Sequence, residues 1–186
     1  VVFDAPETKV VLENQKESTF EFSWWWIYFL GAGISMIWFV VSFNRLRKIK
    51  VHATPQERNG IQFHRVSHSK MALSFMGSIL IGDQIKEQHL EAILSHEHVH
   101  TYQKHHLDLV FFQLLNILMW FNPFNYLFLN RLKLTHELLA DRAVAQRVGT
   151  NNYAHLLLKE TFDTSDVLFA NMFFSFKTIK TRIAML

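Results

Sequence analysis

The sequence predicts an α+β fold that is mostly helical, has a small β-sheet and is embedded in a membrane by transmembrane helices. Hydrophobic residues make up 49% of the 186 positions, and Phe alone contributes 18. Two long runs carry no charge, and part of the stretch between them alternates apolar and polar residues as short strands do. The absence of cysteine excludes disulfide scaffolds and thiolate zinc sites. A net charge of +3 is too small to indicate a nucleic-acid partner.

The first uncharged run, residues 22–44, predicts a transmembrane helix. Its 23 residues are long enough, at about 1.5 Å of rise per residue, to cross a hydrocarbon core about 30 Å thick. An aromatic belt opens the run and a cluster of Lys and Arg follows it. The positive-inside rule then predicts an extracytoplasmic segment at 1–21 and a cytoplasmic linker at 45–60. A buried core helix is the alternative, whereas a signal peptide would carry its basic residues before the run.

The second uncharged run, residues 109–130, predicts either one kinked span or a helical hairpin. It holds 22 residues, with Asn122-Pro123 a little past its middle. Proline removes a backbone donor and disfavours helix at the residue before it, so a helix must bend or end there. Length and composition alone leave both arrangements open.

Periodicity and turn residues predict the remaining elements. Alternation of apolar and polar residues indicates a strand at 61–66, and the two runs on either side of Gly77 indicate a β-hairpin or a bulged strand. Apolar residues at helical spacing, with Gly149 as a terminator, indicate two long helices. The predicted segments are a linker and turn at 52–60, strands at 61–66, 71–76 and 78–81, helices at 85–108 and 124–148, and a basic amphipathic tail at 175–186. We expect Lys177, Lys180 and Arg182 of the tail to face lipid headgroups. Because the chain begins with Val1, we also expect it to be part of a longer protein.

The sequence His96-Glu97-His98-Val99-His100 is an H-E-x-x-H motif inside the first predicted long helix. Residues i and i+4 share a helix face, so His96 and His100 can direct ring nitrogens at one ion. Glu97 lies beside them and can take a proton from a water activated by zinc. His98 lies about 200° around the helix from His96, too far to bind the same ion without distortion. A histidine-rich solvated helix is the alternative interpretation.

A catalytic zinc usually takes three protein ligands, so a third must come from elsewhere in the chain. The second predicted long helix offers Glu137 and Asp141, which share a face at i and i+4. Glu137 can bind the ion, and Asp141 can accept a hydrogen bond from a ligating imidazole and orient it. His136 is the rival ligand and lies on a different face from Asp141. An ordinary solvated acidic pair is the alternative.

Three motifs, in this order and spacing, resemble those of the BlaR/MecR-type membrane metallopeptidases, which are gluzincins similar in design to HtpX-type membrane proteases. They are the H-E-x-x-H motif, Trp120-Phe121-Asn122-Pro123 and Glu137-Leu138-Leu139-Ala140-Asp141. Residues 175–183 look like the basic segment that follows the catalytic part in that family. The resemblance covers roughly residues 60–186, and its motifs are specific in combination. The 186 residues include no penicillin-binding sensor domain, so the resemblance extends to the peptidase role and leaves antibiotic sensing aside.

The resemblance implies a zinc endopeptidase with one zinc ion per chain. In that family two histidines and the glutamate of E-x-x-A-D bind zinc, which implies His96, His100 and Glu137 as ligands. The glutamate of the first motif is the catalytic base, which implies Glu97. The best-known members cleave a cytoplasmic repressor or themselves, which implies a protein or peptide substrate and regulatory proteolysis in transmembrane signalling. Quality-control cleavage of membrane proteins, as in HtpX-like enzymes, and a non-catalytic zinc-binding signalling module are the alternatives.

Three ligands of one ion cannot be split by about 30 Å of lipid. If residues 109–130 crossed the membrane completely, Glu137 would lie on the opposite side from His100. We therefore expect 109–130 to be a membrane-embedded hairpin inside a gluzincin peptidase domain at 61–174. The protein is then expected to be multi-pass in the cell (inner) membrane, in contact with the lipid bilayer, with an active site facing the cytoplasm. We also hypothesise that 71–81 offers a strand edge to an extended substrate, a purely structural hairpin being the alternative.

Overall fold

The computed structural model describes residues 23–163 and 178–186. Within them the elements follow one another in the order α1 (Trp25–His52), β1 (Thr54–Arg58), β2 (Ile61–Val66), β3 (Ala72–Phe75), β4 (Ser78–Gly82), α2 (Glu87–Tyr102), α3 (His105–Leu118), α4 (Pro123–Val148) and α5 (Thr150–Asp163). Residues 178–184 are also helical. The prediction of a mostly helical α+β chain with a small sheet is confirmed.

The sheet is mixed and has the strand order β1-β2-β4-β3. β2 and β4 pair in parallel at its centre, and each edge strand pairs antiparallel with its neighbour. The strands predicted at 61–66, 71–76 and 78–81 are confirmed as β2, β3 and β4. β3 is thus an edge of the sheet, and it also lies against α2.

The linker and turn predicted at 52–60 is wrong for most of its length. α1 continues to His52, and β1 occupies Thr54–Arg58. The turn is confined to Asn59 and Gly60, whose φ angles are 51° and 77°. Positive φ at both positions is typical of a type I′ hairpin turn, for which Asn-Gly is a preferred pair. Asn59-Gly60 therefore indicates a β-hairpin. The strand before it was not predicted because the residues of β1 are polar.

Two apolar cores meet at α2. The first joins the sheet to this helix and contains Phe63, Ile79, Ile81, Leu90, Ile93 and Leu94. The second joins α2 to α4 and α5 and contains Ala92, Val144, Ala145, Tyr153 and Leu157. Ala140 of α4 is fully buried, and its small side chain is compatible with close packing of the helices. Because α2 packs on both sides, the face that carries its histidines is held in a fixed position.

The helix predicted at 85–108 is wrong in its C-terminal part. α2 ends at Tyr102, and α3 begins at His105. Lys104 lies between them with a φ of 56°, in the left-handed region that residues other than Gly, Asn and Asp seldom adopt. The break returns the chain toward α2, where Nδ1 of His105 lies 2.8 Å from Nδ1 of His100.

α3 and α4 form a helical hairpin. The side chain of Asn122 accepts a hydrogen bond from the backbone N–H of Phe124, and Pro123 occupies the first position of α4. Both features are typical of a helix start. The rings of Phe112 and Phe128 stack between the two helices with centroids 4.8 Å apart. Of the two arrangements open for 109–130, the turn at Asn122-Pro123 is confirmed, as is the end of α4 at Gly149.

The first part of α1, up to residue 44, is apolar around the helix, its last part is basic, and no residue of α1 is buried. Among the described residues it is the helix that is long and apolar enough to cross a membrane. It contacts the hairpin near its N-terminal end, where the Tyr28 hydroxyl donates to the Leu118 carbonyl at 2.9 Å and Trp120 Nε1 donates to the Tyr28 carbonyl at 3.2 Å. A Cβ at position 31 would overlap the Trp120 ring, so Gly31 permits this contact.

Candidate metal centre

Three predicted ligands converge from α2 and α4. Nε2 of His96 and Nε2 of His100 lie 3.1 Å apart on successive turns of α2. Glu137 of α4 places Oε2 at 3.5 Å from Nε2 of His96 and Oε1 at 3.7 Å from Nε2 of His100. One donor atom from each of the three residues lies within 4.8 Å of the others. The geometry therefore brings together two imidazole nitrogens and one carboxylate, a group that could hold a metal ion.

Glu97 is buried on α2 beside this group, with 8% of its surface exposed. Its negative charge is one of the contributions that raise the pKa of His96. His98 is half-buried on another face, where its ring lies 6.3 Å from that of Tyr102. The rival ligand His136 is not brought to the group, because its Nε2 is directed at a carboxylate oxygen of α3.

Two partners contact the far side of His96, and a third residue holds one of them. Its Nδ1 lies 3.3 Å from Oδ1 of Asp141 and 3.0 Å from the Tyr153 hydroxyl. The same hydroxyl donates to Oδ1 of Asp141 at 2.9 Å. Arg182 donates to both oxygens of this carboxylate, each at 2.6 Å. Asp141 is thus in the position predicted for a residue that orients a ligating imidazole.

The charges around His96 favour the ionised forms of His96, Glu137 and Asp141. Burial lowers the pKa of His96, but hydrogen bonds to Asp141 and Glu137 outweigh it and raise that pKa to about 9. Burial likewise opposes ionisation of Asp141, and the hydrogen bonds from Arg182 nevertheless hold its pKa well below its usual range. The pKa of Glu137 is also lowered against burial, by the hydrogen bond with His96 and the charge of Arg182. Without a metal ion, His96 is therefore a cation held between carboxylates.

The far side of His100 is different, because it carries another imidazole. Its Nδ1 lies 2.8 Å from Nδ1 of His105. The His105 ring stacks on that of His136 with centroids 3.8 Å apart, and Nε2 of His136 lies 3.2 Å from Oδ2 of Asp108. Burial, and then the charge of His96, lower the pKa of His100 to about 4. Burial, and then His136, also lower the pKa of His105.

A sequence model of the BlaR1 peptidase M56 family matches residues 74–186, a range that contains the whole of this centre. The chain belongs to this family. The earlier resemblance to BlaR/MecR-type proteins is thereby confirmed, and the chain is a member of a family of metallopeptidases whose BlaR1-type proteins are membrane-associated. No curated protein matches the chain.

Three residues of this M56 centre were not identified from the sequence. Tyr153 and His105 belong to no recognisable sequence motif. Arg182 was expected to face lipid headgroups, and that expectation is wrong, because its guanidinium is paired with Asp141. Lys180 of the same segment is exposed, and Lys177 lies outside the described residues.

Proposed function

We propose that this M56 chain is a membrane-bound zinc endopeptidase of gluzincin type with one zinc ion per chain. The observation that carries the proposal is the convergence of His96, His100 and Glu137 from two helices, with Glu97 beside them. Two imidazole nitrogens and one carboxylate oxygen are a donor set that catalytic zinc sites use, with a position left open for water or substrate. The residues present therefore fit the metal that the family implies.

The protein groups have separate roles in hydrolysis. Zinc, when bound, would make water a nucleophile near neutral pH and polarise the peptide carbonyl. Glu97 accepts the proton of the attacking water and donates it to the leaving amine nitrogen. His96 must give up its ring proton to become a ligand, and Asp141 then accepts a hydrogen bond from its Nδ1–H and keeps Nε2 directed at the ion.

The test replaces Glu97 with Gln, which keeps the shape of the side chain but removes the base. We expect Glu97→Gln to retain one zinc per chain and to lose cleavage of casein by at least about a hundredfold, the lower range of general-base effects. Glu91→Gln, an exposed position on the same helix, is the matched control and should cleave normally. Undiminished cleavage by Glu97→Gln would exclude the mechanism, and absence of zinc from the parent chain would exclude the metal site.

We further propose that the apolar part of α1 and the hairpin at residues 109–130 lie in the cell membrane, and that the metal centre lies outside the membrane and faces the cytoplasm. The hairpin returns Glu137 to the side of His100, and the contacts of Tyr28 with Leu118 and Trp120 place the hairpin turn beside the aromatic end of α1. The basic residues after the apolar part of α1 favour the cytoplasm for its other end.

Single cysteines test this topology, because the chain has no cysteine of its own. In intact cells, cysteines at His98 and Thr135 should both be protected from a membrane-impermeant maleimide and both react after the cytoplasmic side is opened. A cysteine at Trp24, which is 78% exposed, should react from outside. Labelling of positions 98 and 135 from opposite sides would contradict the arrangement.

The substrate is proposed to be an extended protein segment that pairs with the free edge of β3. This strand is an edge of the sheet and lies against the helix that carries His96 and His100. Neighbouring residues of an edge strand direct their N–H groups alternately to the paired and the free side. Of the two single variants Leu73→Pro and Ser74→Pro, one therefore loses an N–H on the free edge and the other loses an N–H that bonds to β4. We call the first the edge variant. We expect the edge variant to bind zinc and cleave poorly; normal cleavage by both variants would exclude this docking mode.

We propose that the biological output is regulatory proteolysis of a cytoplasmic or membrane-proximal protein, or of the chain itself. The zinc-loaded Glu97→Gln variant should act as a trap, since it keeps the ligands and lacks the base. Capture of one predominant partner in cells would support a regulatory role. Capture of many unrelated membrane proteins would instead support quality control.

A further inference from the structure

Arg182 contacts both carboxylates that α4 contributes to the metal centre. Its Nε and Nη2 donate to the two oxygens of Asp141, each at 2.6 Å, and its Nη1 lies 3.3 Å from Oε2 of Glu137. The side chain is 16% exposed. A two-pronged contact of this kind fixes the plane of a carboxylate as well as its position, which a single donor cannot do.

Asp141 transmits this constraint to His96. The carboxylate is fully buried, so its orientation is set by the protein groups around it. Its Oδ1 lies 3.3 Å from Nδ1 of His96 and accepts from the Tyr153 hydroxyl. When Nδ1–H of His96 donates to this oxygen, the Nε2 lone pair is left on the side of His100 and Glu137.

We propose that Arg182 is a positioning residue of the metal centre, which holds Asp141 so that the His96 ring presents Nε2 to the ion. The inference rests on the proposed zinc ligands. If Arg182 has this role, residues 178–186 contribute to the metal centre. Leu186 of this segment packs against the core of α2, α4 and α5, which anchors Arg182 to the same elements that carry the ligands.

The charges of the site explain why a cation is needed at this place. Glu97, Glu137 and Asp141 bring three formal negative charges, and a divalent ion neutralises two of them. Arg182 supplies the third positive charge. Its guanidinium is separated from His96 by Asp141, but it also contacts the proposed ligand Glu137, whose Oε2 lies 3.3 Å from Nη1.

Arg182→Lys separates geometry from charge. Lysine keeps the positive charge, and with it any repulsion of a divalent ion, but it cannot form the two-pronged contact. A change in zinc affinity must then come from the lost geometry. We expect the zinc dissociation constant of the full chain in detergent micelles, measured by competition with a chromophoric chelator, to rise about tenfold or more. Lys180→Arg, the reverse exchange at an exposed position of the same segment, should leave it within twofold.

A double-mutant cycle with Asp141→Asn distinguishes positioning from a general effect on folding. If Arg182 acts through Asp141, then Arg182→Lys should add no further loss of zinc affinity in the Asp141→Asn background. Additive losses would overturn the inference, as would unchanged zinc binding by Arg182→Lys alone. In that case the parent would still bind one zinc per chain and the proposed function would stand. A parent chain that bound no zinc would overturn both.

Discussion

The two zinc-ligand candidates of α2 are oriented by partners of different chemistry. On the flank of His96, the buried carboxylate of Asp141 is held by a guanidinium, so this flank is ionic. On the flank of His100, the partner at 2.8 Å is the uncharged ring of His105, so this flank is a chain of imidazoles. Both partners approach Nδ1 and leave Nε2 on the side of the proposed ion.

The difference teaches that motif spacing decides where two histidines lie, whereas residues from other elements decide which protons they carry. His100 follows His96 by four positions, yet the pKa of His96 is raised to about 9 and that of His100 is lowered to about 4. A carboxylate stabilises the charged imidazole, and a buried neutral ring does not.

Removal of a ligand should give the largest effect, whichever flank it belongs to. We expect His96→Ala to weaken zinc binding by at least about a hundredfold, because two protein ligands cannot hold a tetrahedral site. His98→Ala, in the same motif but on another helix face, should bind zinc within about twofold of the parent. Metal analysis after dialysis measures both, and stoichiometric zinc in His96→Ala would disprove the ligand set.

The ionic flank should contribute more to folding than an exposed carboxylate of the other flank. Asp141→Asn removes the two-pronged charged partner of the largely buried Arg182 guanidinium and leaves Glu137 as its remaining carboxylate contact. We therefore expect a loss toward the lower end of the about 3 to 5 kcal/mol that breaking a buried ion pair typically costs. Asp108→Asn removes a carboxylate whose side chain is 55% exposed, which should cost less than about 1 kcal/mol. Denaturant unfolding of the metal-free chain in micelles measures the free energy of unfolding. Equal losses in the two variants would remove the distinction between the flanks.

The sequence predicted what depends on local spacing. His96 with His100, and Glu137 with Asp141, are i, i+4 pairs, and a helix places such pairs on one face without further information. Asn122-Pro123 likewise marks a turn by its own backbone chemistry. The strands followed from alternation, and β1 was missed because its residues are polar.

Three other orienting residues, Tyr153, Arg182 and His105, could not be predicted in this way, because no local pattern links them to the ligands. Tyr153 lies 57 positions from His96, and Arg182 lies 41 positions from Asp141. His105 reaches His100 through the left-handed backbone at Lys104, a conformation that lysine does not favour by itself. Tertiary packing imposes these contacts.

Opposite pKa shifts on the two flanks predict a stability maximum for the metal-free chain. Folding raises the pKa of His96 from 6.5 to about 9, so its contribution is full below pH about 6.5 and is lost as pH rises through 9. Folding lowers the pKa of His100 to about 4, so its contribution is full above pH about 6.5 and is lost as pH falls through 4. Each amounts to something on the order of 3 kcal/mol.

Thermal unfolding of the chain in chelator at pH values from about 4 to about 10 measures both losses. The loss at high pH is the alkaline limb of the stability curve, and the loss at low pH is its acidic limb. His96→Gln should remove the loss of stability at alkaline pH and also reduce the loss at acidic pH, because the charge of His96 is one cause of the lowered pKa of His100. His100→Gln should reduce the loss at acidic pH and keep the loss at alkaline pH. An alkaline limb that persists unchanged in His96→Gln would show that the ionic flank does not stabilise a protonated ring.

The smallest effect on zinc affinity is expected on the flank of His100, where the partner is the imidazole of His105. When Nε2 of His100 binds an ion, its Nδ1–H can donate to Nδ1 of His105, which is 5% exposed. His105→Leu removes this acceptor and leaves a buried donor unpaired, which costs about 1 kcal/mol, or roughly fivefold in zinc affinity. His105→Gln should recover most of the loss, because its amide oxygen can accept the same proton. If His105→Leu bound zinc as tightly as the parent, the imidazole chain would only fill space, and the ionic flank alone would orient the site.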